Sequence, residues 1–292
     1  MKTIITASLT GAVTPKAKCP ALPITPREIA EDGIKCWKAG ASILHLHMRD
    51  DNGFGTMDPA KFRETVHILK EEGCDALLCL TTSGELGVSD ERRMEHIIEL
   101  KPELATFDCG TLNTGDGIFE NSFDFLTKLG KTMQENGIKP EVEIMDIGMM
   151  NACKWYADHG VLTAPVHYQF VLGFGLFGAP ATPQNLCYML DKLPAGSTWS
   201  AFGVGAGHLP ILYATLALGG IMNAGFDQIF IMYNASVYET ADILDTFIYR
   251  QGLVDSQYSL STALGLFKSL IGATLLIVTN LFATKKFNYR IF

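Results

Sequence analysis

The chain has 292 residues, 48% of them apolar, enough for one large α/β barrel or two smaller domains with a substantial core. A net charge of −8 argues against a nucleic-acid surface. The seven cysteines are odd in number, scattered and without Cys-x-x-Cys spacing, which excludes a disulfide framework and fits the reduced, buried thiols of a cytosolic protein.

The N-terminus carries one lysine and a brief apolar run, too short for a signal peptide. Residues 3–10 read as a buried strand. Thr25-Pro26-Arg27-Glu28 then supplies an N-cap threonine, a proline at the first helical position and an acid in the first turn, which predicts a helix to about residue 39. The second strand, 42–50, holds His45 and His47 on alternate positions of an apolar run. Because a strand has period two, both imidazoles face one way. Such a pair can close on one divalent ion and leave further positions to a carboxylate and water, or it can be two structural histidines hydrogen-bonded in a core.

Asp58-Pro59 opens a second helix by the same device. Further strands are predicted at 76–81, 104–107, 141–145, 166–171 and 198–204. Helices are predicted at 90–100, 123–136, 149–159 and 183–193. Seven strand–helix units predict a parallel sheet, and specifically a (β/α)8 barrel, with functional groups where strands end at the C-terminal face. Thr81 ends strand three, Thr106 and Asp108 end strand four, and Glu143 ends strand five. For the threonines, ordinary β-branched strand filling is an equal alternative. Glu141 and Glu143 alternate on one strand, and an acid there needs a metal, an arginine or a substrate proton as partner. His67, His96 and His159 fall on helical segments and are expected to be solvated or capping, whereas His208 follows strand seven and stays a candidate.

Several motifs in this order carry a resemblance: Thr10-Gly11-Ala12, Leu22-Pro23-Ile24-Thr25-Pro26, His45-Leu46-His47-Met48-Arg49, Lys101-Pro102-Glu103-Leu104-Ala105-Thr106, Gly110-Thr111-Leu112-Asn113, Pro140-Glu141-Val142-Glu143 and Gln169-Phe170-Val171-Leu172-Gly173. Over residues 1–220 the chain resembles the β-keto acid cleavage enzymes. The resemblance implies a zinc-dependent (β/α)8 barrel that condenses a β-keto acid with acetyl-CoA, giving acetoacetate and the CoA ester of the shortened acid. It also implies that His45 and His47 are zinc ligands, Glu143 a catalytic carboxylate, and Thr81 and Thr106 substrate-binding. Asp108, beside Thr106, is taken as a further substrate-binding candidate. The partners expected are these small molecules, with homo-oligomerisation left open and no nucleic acid.

The pattern departs after Gly219-Gly220. The family continues with an arginine and then Gly-apolar-Glu-Asp, whereas here Asn223 stands for the arginine, Gln228 for the aspartate, and Asp227 for the glutamate that is the third zinc ligand. The resemblance thus implies that two catalytic groups are absent and that the enzyme is either intact or disabled by the replaced strand eight. Residues 218–292 instead resemble the C-terminal end of carbohydrate ABC-importer permeases of the LplB type. Within them, residues 263–283 form an apolar run whose one charge is Lys268, followed by Lys285, Lys286 and Arg290, which predicts a membrane span with a positive-inside flank. The expectation is therefore a chimera of two domains. Residues 1–220 form a cytoplasmic barrel, incomplete or irregular at strand eight, and 221–292 form a permease-like tail with an apolar helix that associates with the inner membrane. A fragment of a transport permease is the alternative function.

Overall fold

The computed structural model describes residues 4–114 and 117–225, with 222–225 described by backbone alone. The parallel strands are β1 (Ile5–Ser8), β2 (Ile43–Leu46), β3 (Leu77–Leu80), β4 (Leu104–Asp108), β5 (Lys139–Ile144), β6 (His167–Leu172), β7 (Thr198–Gly203) and β8 (Ile221–Gly225). Each of the first seven is followed in the chain by one helix: α1 (Pro26–Lys38), α2 (Pro59–Glu71), α3 (Asp90–Leu100), α4 (Phe123–Asn136), α5 (Ile147–Asp158), α6 (Pro183–Leu190) and α7 (His208–Leu218). The sheet closes on itself in the order β1, β8, β7, β6, β5, β4, β3, β2.

Local sequence starts these helices where it should. Thr25 and Glu28 form a full capping box on α1, and Asp58, Ser89, Ser122, Asp146 and Thr182 accept first-turn backbone N–H groups on the next five helices. Strand alternation then sends Leu44, Leu80, Phe107, Val142, Ile144 and Phe170 outward to meet the helices in one continuous buried core. Each fully buried side chain of this kind contributes roughly 1.5–3 kcal/mol. A separate small cluster of Ile43, Cys79 and Leu104 lies on the other side of the same strands, an apolar floor two residues before His45 on β2 and Thr106 on β4.

Two expectations change. Strand two does not run on to residue 50. β2 stops at Leu46, and Met48–Arg49 pairs antiparallel with Gly55–Thr56 in a ribbon outside the barrel. The Arg49 guanidinium draws the chain there by donating to the carbonyls of Thr10, Gly11, Thr14 and Gly53 at 2.7–2.8 Å. Gly55 is where three loops touch, because a Cβ there would lie on the Gly84 carbonyl and against Ala12. Strand eight, expected to be incomplete or irregular, instead closes the sheet. It pairs with β1 from Ile5↔Met222 to Ser8↔Gly225, and with β7 over the shorter register Ser200↔Ile221 and Ala201↔Met222.

The chain divides into two units, Met1–Ile231 and Met232–Phe292. Among the described residues, no helix is long and apolar enough to cross a membrane. The apolar run 263–283, and with it the expected span, lies outside the described residues.

His96 also corrects its expectation. It is neither solvated nor capping but fully buried, stacked on Phe62 with centroids 4.0 Å apart, and its Nε2–H meets the Thr81 carbonyl at 2.8 Å. Nδ1 has no partner among the described residues, so a protonated ring would bury a donor without an acceptor there. Burial lowers its pKa from 6.5 to about 4. A histidine whose folded pKa is depressed is protonated more readily in the unfolded chain, so stability falls as pH drops through this window. Wild-type protein is expected to lose on the order of 2 kcal/mol from this source by about pH 5. Urea unfolding of wild type and His96→Gln across that window checks it, since equal pH slopes would contradict the assignment.

Candidate active site

Hydrogen bonds between strands that are not neighbours in the sheet can only cross the barrel interior. His45 on β2 reaches Glu141 on β5, with Nδ1 2.9 Å from Oε1. Glu141 is fully buried, and its Oε1 also accepts from Cys79 Sγ at 3.3 Å and Gln169 Nε2 at 3.2 Å. Burial alone would raise this carboxyl, but the hydrogen bond and charge of His45, followed by His167 and Cys79, hold it below its ordinary value. With Glu141 accepting at Nδ1, a neutral His45 ring carries its lone pair on Nε2.

That lone pair faces His47. The two Nε2 atoms are 3.2 Å apart, with ring centroids at 5.2 Å. Two nitrogens bound tetrahedrally to one zinc at about 2.0–2.1 Å would lie about 3.3 Å apart. Burial, then the neighbouring His45 and Arg49, hold the His47 pKa well below its usual value, so the ring stays neutral as a metal ligand must. The carboxylate behind His45 is the usual outer-shell support of a zinc histidine. These residues therefore fit a zinc ion. His45, Cys79 and Glu141 also bring one potential ligand atom each within 4.8 Å of one another. Burial, then Glu141, push the Cys79 thiol well up, which suits it better as an S–H donor to Glu141 than as a thiolate ligand. Asp227, expected as the third ligand, lies outside the described residues.

Glu143, two residues along β5, stands in register with Asp108 on β4. Gln169 Nε2 donates to its Oε1 at 3.1 Å. Burial, then the charges of Asp108 and Glu141, raise Glu143 well above the ordinary carboxyl range. The buried Glu143–Asp108 pair thus keeps a proton where an isolated carboxylate would have lost it.

Thr81 and Thr106 are both buried at the ends of their strands. Thr106 Oγ1 accepts from the Thr82 N–H at 2.9 Å and lies 3.2 Å from Thr82 Oγ1, and Thr81 Oγ1 accepts from the Ser83 N–H at 3.2 Å and lies 3.4 Å from Ser83 Oγ. Arg93 locks this rim by donating to the Thr82 and Glu120 carbonyls and to Asn121 Oδ1, with its guanidinium 3.9 Å above the Phe125 ring. His67 is exposed against Glu71, and His159 stacks on Trp155 at the end of α5. His208 is buried, with neither ring nitrogen partnered among the described residues.

Sequence reading assigned no role to Gln169, His167, Ser200 or Arg49. The signal was present for the first two, since His167-Tyr168-Gln169 repeats on β6 the polar–apolar–polar alternation of the histidine pair.

With this geometry in place, comparison with known proteins identifies the class. Residues 2–247 match the family described as beta-keto acid cleavage enzyme, and the chain belongs to that family. It is 39% identical over 228 residues to the 3-keto-5-aminohexanoate cleavage enzyme of Fusobacterium nucleatum, covering 78% of this chain and 82% of the relative. It is 31% identical over 249 residues to the 3-dehydrocarnitine:acetyl-CoA trimethylamine transferase of Rhizobium meliloti, covering 77% and 82%. The barrel is similar to that of ObcA, with a TM-score of 0.63 at 22% identity over 70% of this chain and 55% of the ObcA chain. A shorter likeness, 42% identical over 75 residues, links 26% of the chain to 24% of Protein LplB of Bacillus subtilis.

Proposed function

We propose that this chain condenses a β-keto acid with acetyl-CoA, with zinc held by His45 and His47. The convergence of two Nε2 atoms at 3.2 Å, one of the rings backed by a buried carboxylate, carries this reading. Zinc, when bound, supplies Lewis-acid polarisation of the keto group. The Glu143–Asp108 pair moves the proton at the carbon between the keto group and the carboxylate. The hydroxyls of Thr81 and Thr106 hold the substrate carboxylate without adding charge. The bond between the keto carbon and its α-carbon breaks, the α-carbon fragment takes the acetyl group to become acetoacetate, and CoA receives the remaining acyl group.

Relatives whose names carry acetyl-CoA support the cosubstrate. Asn223 stands where the family's arginine belongs, and on β8 it lies in backbone register with Thr6 of β1. Loss of that arginine, and of the aspartate at Gln228, is expected to slow turnover while leaving the metal and proton groups of β2, β4 and β5 in place. The decisive assay incubates the full-length protein with zinc, acetyl-CoA and a panel of β-keto acids and follows new acyl-CoA and acetoacetate together. Formation of both in equal amounts is expected, and formation of neither from any substrate refutes the reading.

We further propose that residues 221–292 derive from a permease-like sequence, a reading supported by the LplB likeness alone. A permease fragment as the whole protein's function is the second reading. It predicts recovery in the membrane fraction without acyl-CoA product.

A further inference from the structure

We infer that Gln169 is a positioning residue that holds the carboxylate behind the zinc histidine and the proton-carrying carboxyl in one fixed arrangement. Its single amide nitrogen lies 3.2 Å from Glu141 Oε1 and 3.1 Å from Glu143 Oε1, so its two N–H bonds serve the two acids separately. The orientation of this amide is determined chemically. The NH2 end faces the carboxyl oxygens of the two acids, and the carbonyl end faces β7, where the Ser200 hydroxyl, a donor, reaches Oε1 at 3.1 Å. Gln169 and Ser200 are both buried, at 1% and 0% exposure, so no bulk solvent competes for these bonds. Ser200 also lies 3.5 Å from His167 Nε2, and His167 Nδ1 lies 2.9 Å from Thr198 Oγ1, so the fork rests on a ladder running along β6 and β7.

The consequence for the metal is specific. Glu141 accepts from His45, Cys79 and Gln169 on Oε1, while Oε2 has no hydrogen-bond partner among the described residues and sits 4.0 Å from His167 Nε2. Without the Gln169 donor, the carboxylate gains a reason to rotate Oε2 toward His167, and the alignment of Oε1 with His45 Nδ1 is lost. Gln169 therefore acts on zinc through Glu141 and His45, and on proton transfer through Glu143, without touching either reacting partner.

This inference rests on the zinc-dependent reading above, and its test is separated from it by reading metal affinity first. Gln169→Met keeps length and volume but has no donor. It is expected to weaken zinc binding about tenfold in competition with a chelator, the lower end of outer-shell effects, and to lower kcat with KM nearly unchanged. In a Glu141→Gln background, Gln169→Met is expected to add little further loss of zinc affinity, because the two act as one unit. A merely structural role would add its full effect there. Ser200→Ala, which frees the amide to turn, should shift zinc affinity in the same direction by a smaller factor, and it carries the test if Gln169→Met does not fold. Wild-type zinc affinity in a folded Gln169→Met variant, or in Ser200→Ala where that variant does not fold, overturns the inference, as does full additivity with Glu141→Gln. Wild-type protein that binds zinc but cleaves nothing refutes the catalytic reading and leaves the affinity comparison to decide on Gln169. Wild-type protein that takes up no zinc overturns both.

Discussion

Replacing His45 by alanine is expected to abolish stoichiometric zinc binding, the largest single effect this structure forecasts. The variant removes a ligand nitrogen and also strands the buried Glu141 carboxylate, whose pKa is held down first by the His45 hydrogen bond against the pull of burial. His47→Ala should cost as much metal but less stability, because His47 is only partly buried and its Nδ1 has no partner among the described residues to orphan. Both losses should exceed the roughly 10–100-fold that outer-shell changes such as Glu141→Gln produce. Metal analysis of purified, dialysed protein is the measurement, and one equivalent of zinc retained by His45→Ala would place the ion elsewhere. Asp227→Ala belongs in the same series. The family's third ligand is a glutamate one methylene longer, so weakened zinc binding is expected in the wild type and further loss in this variant. Stoichiometric zinc that survives Asp227→Ala would assign the third position to another group, with Glu143 the first to examine.

Glu143→Gln is the second large effect. The substitution preserves shape and a hydrogen bond with Gln169 but cannot carry a proton, and general acid–base groups contribute about 10²–10⁴-fold. The loss should fall on kcat, with zinc content unchanged if Glu143 is not a ligand. Because the strand-eight substitutions are expected to slow the full reaction, the sensitive readout is deuterium exchange at the α-carbon of the β-keto acid, followed by NMR above its spontaneous rate. The Glu143 carboxyl is raised first by burial and then by Asp108 and Glu141, so its protonated form should persist well above the ordinary carboxyl range. Enzyme-dependent exchange that requires the carboxylate should accordingly rise with pH through that raised value. Asp108→Asn, which removes one of the two neighbouring charges, should move the rise to lower pH. A pH profile that Asp108→Asn leaves unmoved would show that the two carboxyls do not share a proton.

The architecture could be read before any coordinates because its signals are local. Thr25-Pro26 with Glu28, Asp58-Pro59 and Thr182-Pro183 announce helix starts through bonds made within one turn. The alternation of β2 and β5 puts His45 on one face of its strand and Glu141 with Glu143 on one face of theirs, whatever the rest of the chain does. What sequence could not supply is which strands face one another across the barrel. His45 and Glu141 are far apart in the chain and on strands separated by two others, and only closure of the sheet brings them to 2.9 Å. The same holds for Gln169, whose importance comes entirely from having two acids on one side and Ser200 on the other. His96 was misread for a related reason. A helical position in an otherwise polar stretch suggests solvent, but the packing of α3 against α2 places that ring on Phe62 with a strand-end carbonyl at its nitrogen. Strand eight shows the opposite lesson. Its sequence departs from the motif that the rest of the chain leads one to expect, yet a short extended segment of sufficient length pairs with β1 through backbone groups that every residue carries, so the barrel closes.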